Sequence, residues 1–229
     1  MSLWVDIERF VFPRFCGLCQ RKLMLDEECL CLHCLSDLLH ERLEDISGNE
    51  EEQCVWEQLP VVRIGALFRY RKGGKVGRLL HLMKYRGRQK LCVEMGKLAG
   101  TELFALGFFE GIDYLVPVPL TPARLRQRGY NQSELLACGI SHVTGVPLCT
   151  DAVYRQRNNV TQTHQSMFER WGNVKDAFAL MNRADELCGK HILLIDDVLT
   201  TGATLTACAD AFSSVEGIKI SILTLARAR

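Results

Sequence analysis

The sequence predicts an α/β protein: a mainly parallel sheet flanked by helices, with a small cysteine-rich module ahead of it. Three observations lead there. Apolar, strand-like runs alternate with helical ones from residue 61 to residue 225, the pattern of a wound sheet. His191 to Ile195 is almost wholly apolar, as a parallel strand buried on both faces must be. Five of the eleven cysteines fall between residues 16 and 34, and the other six are scattered singly.

The 229 residues suggest one full domain plus an extra module. With 48% hydrophobic and 24% charged residues, a core of useful size forms and disorder of the whole chain is excluded. A net charge of +1 excludes nucleic-acid binding by bulk charge but leaves room for a local patch. No apolar run approaches the ~20 residues needed to span a bilayer. Asp6, Glu8 and Arg9 interrupt the N-terminal stretch where a signal peptide needs an unbroken apolar core. A cytoplasmic protein with no membrane insertion is therefore expected.

The elements are read in chain order. Residues 3–12 suit a short amphipathic helix stopped by Pro13, and Cys34 to Leu43 a second helix. The polar stretch from Ile46 to Gln53, with three consecutive acids, marks a boundary. Residues 1–48 then form the module, 49–60 a linker and 61–229 the main domain. Val61 to Tyr70 suits a strand, Gly74 to Met83 and Gln89 to Leu106 helices, and Asp113 to Val118 a short strand closed by prolines. Ser133 to Val143 reads as a helix, Ala152 to Arg155 as a strand and Gln165 to Trp171 as a helical turn. The strand at His191 to Ile195 precedes a helix over Thr204 to Phe212 and a last strand over Lys219 to Leu225.

Charge is divided unevenly. Residues 1–57 hold 13 acids against 5 bases, a net charge of −8, whereas residues 58–93 hold ten bases and no acid. The basic stretch is either an anion-binding surface or a solvated face that pairs with the acidic N-terminal part. Phe68, Tyr70 and Tyr85, interleaved among bases from Arg63 to Lys90, suit contact with single-stranded DNA.

Cys16-x-x-Cys19 and Cys31-x-x-Cys34 are two hooks of the kind that close a tetrahedral zinc site. Gly17 permits the tight turn of the first. Four protein ligands fill the coordination shell, which makes the Zn²⁺ structural, and the ion can order a segment too short for its own core. A redox pair is the alternative, and Cys29 or His33 is a lesser candidate ligand.

The most informative segment is Ile192-Leu-Leu-Ile-Asp196-Asp197-Val198-Leu199-Thr200-Thr201-Gly202-Ala203-Thr204. A buried strand ends in two carboxylates, and a hydroxyl-rich loop broken by glycine leads into a helix. At the carboxyl edge of a parallel sheet this builds a ligand crevice. Amides from Thr200 to Thr204 favour a phosphate, and Gly202 lets the chain approach it closely. Asp196 and Asp197 can accept hydrogen bonds from a sugar diol and hold Mg²⁺. Neither the P-loop nor the Rossmann pattern is present. The segment resembles the 13-residue phosphoribosyl pyrophosphate (PRPP) motif of the type I phosphoribosyltransferases at every position. The resemblance implies that the acids bind the ribose hydroxyls and the loop the 5-phosphate.

Leu115 to Leu120, closed by prolines, leads into Arg124, Arg126, Arg128, Gly129, Tyr130, Asn131 and Gln132. Three arginines at alternate positions cannot share one helical face, so a turn is expected that aims two of them at an anion such as pyrophosphate. A solvent-exposed basic loop is the other reading. The polar stretch from Arg155 through Asn173 suits a mobile loop that closes over a ligand.

Together, the double-hook finger, Lys84-Tyr-Arg-Gly87, the Val116 to Gln132 run, Arg157 with Thr161-Gln162, the PRPP motif and Leu223 to Arg227 resemble the ComF/GntX family over nearly the whole chain. The resemblance implies a type I phosphoribosyltransferase-like fold carrying an N-terminal four-cysteine zinc finger. It also implies a role in bringing in transforming DNA beside a ComFA-like helicase. In the pocket it implies PRPP with Mg²⁺, held by Asp196, Asp197 and the Val198 to Thr204 loop. Arg124, Arg128 and Lys84 would then face the pyrophosphate. A chain beginning Met-Ser-Leu and of this length is not expected to hold the glutaminase domain of the purine-pathway enzyme. Two functions stay open: a PRPP-binding protein of DNA uptake, or an active phosphoribosyltransferase acting on an unidentified nucleobase or amine.

Overall fold

The computed structural model describes residues 12–43, 61–85, 87–156, 177–181 and 184–228. The helix expected over 3–12 (apart from Phe12), the linker at 49–60 and the turn at 165–171 lie outside the described residues. In chain order the elements are α1 (Leu32–His40), β1 (Val61–Tyr70), α2 (Lys75–Leu82), α3 (Gln89–Phe104), β2 (Tyr114–Pro117), α4 (Pro122–Arg128), α5 (Gln132–Thr144), β3 (Val153–Arg155), β4 (Phe178–Leu180), α6 (Ala184–Leu187), β5 (His191–Leu199), α7 (Ala203–Asp210) and β6 (Lys219–Ala228).

Four strands form one sheet in the order β1-β6-β5-β2, every neighbouring pair parallel. Their apolar residues alternate between two cores, as a period of two requires. Leu193, Ile195, Leu223 and Leu225 face a cluster with α2, α3 and α5. Ile192, Leu194, Ile220 and Ile222 face a second cluster with α7, Leu187 and Phe212. Both sheet edges are covered. The Leu43 amide donates to Leu67 and the Arg69 amide to Glu41, so residues 41–43 lie against β1; Leu115 exchanges bonds with Pro147 and Cys149 beside β2.

The cysteine-rich module shares the first core. Cys16, Cys31, Cys34 and Leu38 are buried in the same cluster as Leu67, Phe68, Val76 and Leu79. Leu38 is fully enclosed, a burial that stabilises by about 2 kcal/mol. Within the module the buried Glu27 carboxylate accepts the amides of Met24 and Leu32, each at 2.7 Å, and pairs with Arg21 at 3.0 Å.

Helices α3 and α5 meet backbone to backbone. A Cβ on Gly96 would lie 2.1 Å from the Leu136 carbonyl oxygen, and one on Gly139 would lie 2.2 Å from that of Val93. No helix among the described residues is long and apolar enough to cross a membrane.

Two expectations change. The arginine-rich segment is not a turn: Thr121 caps the Arg124 amide, Pro122 stands in the first turn, and α4 runs to Arg128 before Gly129 at φ +81° ends it. Cap, proline and terminal glycine outweigh the alternation of the arginines. Strand β5 also runs through both aspartates to Leu199, because β6 continues beside it, Asp196 opposite Thr224 and Val198 opposite Ala226.

Candidate functional sites: a thiol cluster and a carboxylate crevice

The sulfur atoms of Cys16, Cys19, Cys31 and Cys34 all lie within 4.8 Å of one another, which gives a four-thiol cluster able to hold a metal ion. Neither Cys29 nor His33 joins it; His33 lies 3.5 Å from Asp37 instead. The second hook is folded by the start of α1, where the Cys31 sulfur accepts the Cys34 amide. Burial works against ionising Cys16, yet amides of Cys19, Cys31 and Leu18 bring its pKa down to about 7.

The second site sits at the carboxyl edge of the sheet. Pro117 at the end of β2 is in register with Ile195, and the Val118 amide donates to the Ile195 carbonyl at 2.9 Å. The loop leading to α4 therefore leaves the sheet beside Asp196. The Asp196 carboxylate accepts the Ser133 hydroxyl at 2.8 Å and the Asp197 amide at 2.9 Å. Asp197 pairs with Lys84 at 3.0 Å. Although part of Asp196 reaches solvent, desolvation and then the charge of Asp197 push its pKa up to about 7, against the pull of the Asp197 amide, Ser133 and Lys84.

Gly202 stands at φ +77° as the residue before α7, a conformation that favours glycine. Thr200, Thr201 and Ala203 are exposed and Thr204 half-buried, so the loop faces solvent at the carboxyl edge of the sheet. The first-turn amides of α7 have no intrahelical partner to satisfy them.

Lys84 follows α2, and the buried Tyr130 holds it there. The Tyr130 hydroxyl lies 2.8 Å from the Met83 carbonyl oxygen and 2.5 Å from that of Tyr85, so the residues before and after Lys84 are both tied to one side chain. Asn131 donates to the Val118 carbonyl at 3.0 Å and caps α5 by accepting the Ser133 amide. Arg128 donates to Gln132 at 3.0 Å, and the buried Gln132 Nε2 has no partner among the described residues. Arg124 is exposed on α4. The Gly129 to Gln132 run is thus scaffolding that sets the heights of Lys84 and Ser133. Sequence reasoning missed Ser133, since a serine in a helix's first turn carries no mark of the carboxylate it meets.

The basic stretch divides between its two readings. Lys75 pairs with Asp37, and Lys90 with Glu28 at 2.9 Å, both acids of the N-terminal module. Arg63 donates to the Phe108 and Glu110 carbonyls. Arg71, Lys72 and Arg78 are exposed and have no acidic partner among the described residues. Arg78 lines a groove of about 450 Å³ with Leu18, Tyr70, Gly77, His81 and Leu82, between the module and the first strand and helix of the domain. Arg86 lies outside the described residues.

The phosphoribosyl transferase domain family model matches residues 131–229, from the cap of α5 to the chain's end. Competence protein F of Haemophilus influenzae is 35% identical over 114 residues, half of each chain. DNA utilization protein YhgH of Escherichia coli is 29% identical over 197 residues, 85% of this chain and 82% of that one. Competence protein ComFC of Bacillus subtilis is 38% identical over 91 residues, 40% of this chain and 34% of that one. The chain thus spans about half the length of the Haemophilus relative. A parallel sheet with two aspartates and a threonine-glycine loop at its carboxyl edge, a four-cysteine cluster docked beside it, and these matches agree with one another: the chain is similar to proteins of the ComF family, and its residues 131–229 match the phosphoribosyl transferase domain.

Proposed function

We propose that this protein acts in the uptake and handling of DNA in the cytoplasm, and that its crevice binds PRPP with Mg²⁺. The relatives' names, competence protein and DNA utilization protein, support the biological role. The observation that carries the ligand is the carboxylate pair of Asp196 and Asp197 directly ahead of the Val198 to Thr204 loop, with Lys84 on Asp197. In this reading the aspartates take the ribose hydroxyls, and the amides and hydroxyls of Thr200, Thr201 and Thr204 take the 5-phosphate. Arg124 and Arg128 face the diphosphate, and Lys84 serves first as the counter-charge of Asp197.

The residues present fit both metals. Two adjacent carboxylates in a desolvated crevice with one paired lysine leave a negative charge that a hard divalent cation satisfies, so Asp196 and Asp197 would hold Mg²⁺. When bound, Mg²⁺ would neutralise the diphosphate. Four converging thiols select Zn²⁺ in a closed, structural shell. Arg71, Lys72 and Arg78 beside Tyr70 offer single-stranded DNA cations that no acid among the described residues has claimed. A helicase-like protein is the partner this role calls for.

Calorimetric titration of PRPP and Mg²⁺ into wild type and an Asp196→Asn/Asp197→Asn variant tests the reading. Binding abolished in the folded variant supports it, and absence of binding by the zinc-loaded wild type overturns it. Pyrophosphate release in a nucleobase screen then separates an enzyme from a sensor.

A further inference from the structure

The ribbon of β3 and β4 packs beside the carboxyl end of β5 and the start of α7. Its strands pair antiparallel, Val153 with Leu180 and Arg155 with Phe178. Val153, Ala177 and Phe178 are buried in one cluster with Leu199 at the end of β5 and with Leu205 and Cys208 of α7. The ribbon thus packs on the two elements that bracket the Thr200 to Thr204 loop.

Arg155 closes this ribbon. Its Cζ lies 5.0 Å from the centroid of the Phe178 ring, which is itself buried, so the guanidinium is held against a fixed aromatic face. The side chain is half-buried and pairs with no carboxylate among the described residues. Desolvation makes its charge unfavourable, Arg124 repels it, and Asp196 attracts it. The buried Cys208 thiol feels both Asp196 and Arg155, which places all three in one neighbourhood.

A cation so placed is poorly served by the protein alone. Arg155 has lost water and sits within the repulsive field of a second guanidinium, that of Arg124. Asp196, the acid it senses, is already bonded to Ser133 and the Asp197 amide. A dianionic group between Arg124 and Arg155 would relieve the repulsion, and two guanidinium forks match the oxygens of a diphosphate. We infer that Arg155 is a diphosphate-binding residue of the crevice, stacked in place by Phe178 and acting together with Arg124. This rests on the PRPP reading and adds to it a residue from outside the motif and outside α4.

The test uses the full zinc-loaded chain and two probes, inorganic pyrophosphate with Mg²⁺ and ribose 5-phosphate, titrated into wild type, Arg155→Gln and Arg155→Lys. Arg155→Gln is expected to weaken pyrophosphate by about tenfold or more, the loss of one charge-assisted bidentate contact, and to leave ribose 5-phosphate within about twofold. Arg155→Lys keeps the charge and the stem but not the fork, and should fall between; it also serves if the glutamine variant does not fold. Equal losses for both probes, or none for either, would reduce Arg155 to a packing residue and overturn the inference while ribose 5-phosphate binding by wild type still upholds the pocket. A wild type that binds neither probe overturns both.

Discussion

Lys84 and Asp197, far apart in the chain, meet at 3.0 Å across the carboxyl edge of the sheet. The backbone around the lysine is held in place, because Tyr130 bonds the carbonyls of the residues before and after it, Met83 and Tyr85. The pair is therefore built before any ligand arrives, and its charge acts on Asp196 as well.

Removing that cation should be felt in pH dependence more than in folding. Lys84 favours the ionised form of Asp196, so in Lys84→Met the Asp196 pKa moves above about 7. Affinity for PRPP with Mg²⁺, which needs ionised carboxylates, is expected to fall about tenfold at pH 7 and to recover only at higher pH. Calorimetry from about pH 6 to about pH 9 checks this; an unchanged profile would remove Lys84 from the site.

Stability carries the opposite signature. The folded pKa of Asp196, about 7, lies above its unfolded value of ~4. Its contribution is fully present below pH ~4 and is lost as pH rises through about 7. Asp196→Asn lacks this loss and can still accept the Ser133 hydroxyl. Its melting temperature relative to wild type is expected to climb from about pH 4 to about pH 7 and then level off, as thermal melts at each pH would record.

Stripping the thiol cluster should destabilise the whole protein rather than one end of it. Cys16, Cys31, Cys34 and Leu38 share a core with β1, α2 and α3. One Zn²⁺ per chain is expected by metal analysis, lost in Cys16→Ser/Cys34→Ser. Chelation is expected to lower a single cooperative melting transition by about 10 °C or more, on the order of several kcal/mol. Two separate transitions would contradict the shared core.

Among the bases of residues 58–93, only those without an acid beside them should govern DNA affinity. Neutralising Arg71, Lys72 and Arg78 together is expected to reduce the salt slope for single-stranded DNA by about 2, at ~0.7 per phosphate released. Neutralising Lys75 and Lys90, which pair with Asp37 and Glu28, should leave it nearly unchanged. Fluorescence anisotropy at several salt concentrations compares the two variants.

The parts of this molecule legible in the sequence are those written locally. Cysteine spacing announces the thiol cluster, and the run from Ile192 to Thr204 announces strand, carboxylates, loop and helix in order. Helix α4 is hidden because the alternation of three arginines masks a threonine cap and a first-turn proline. Ser133, Tyr130 and the stack of Arg155 on Phe178 are hidden for another reason. Each depends on a partner brought near by the sheet, and no spacing along the chain records it.

The contact of Gly96 with Gly139 has a bearing on how such a crevice can drift or be re-engineered. α3 begins shortly after Lys84, and α5 carries Ser133 in its first turn. A single methyl group added where the two backbones touch would push these helices apart, and with them the lysine on one acid and the hydroxyl on the other. The aperture of the site is thus calibrated by two residues that have no side chain and never meet the ligand, like a caliper set at its hinge rather than at its jaws.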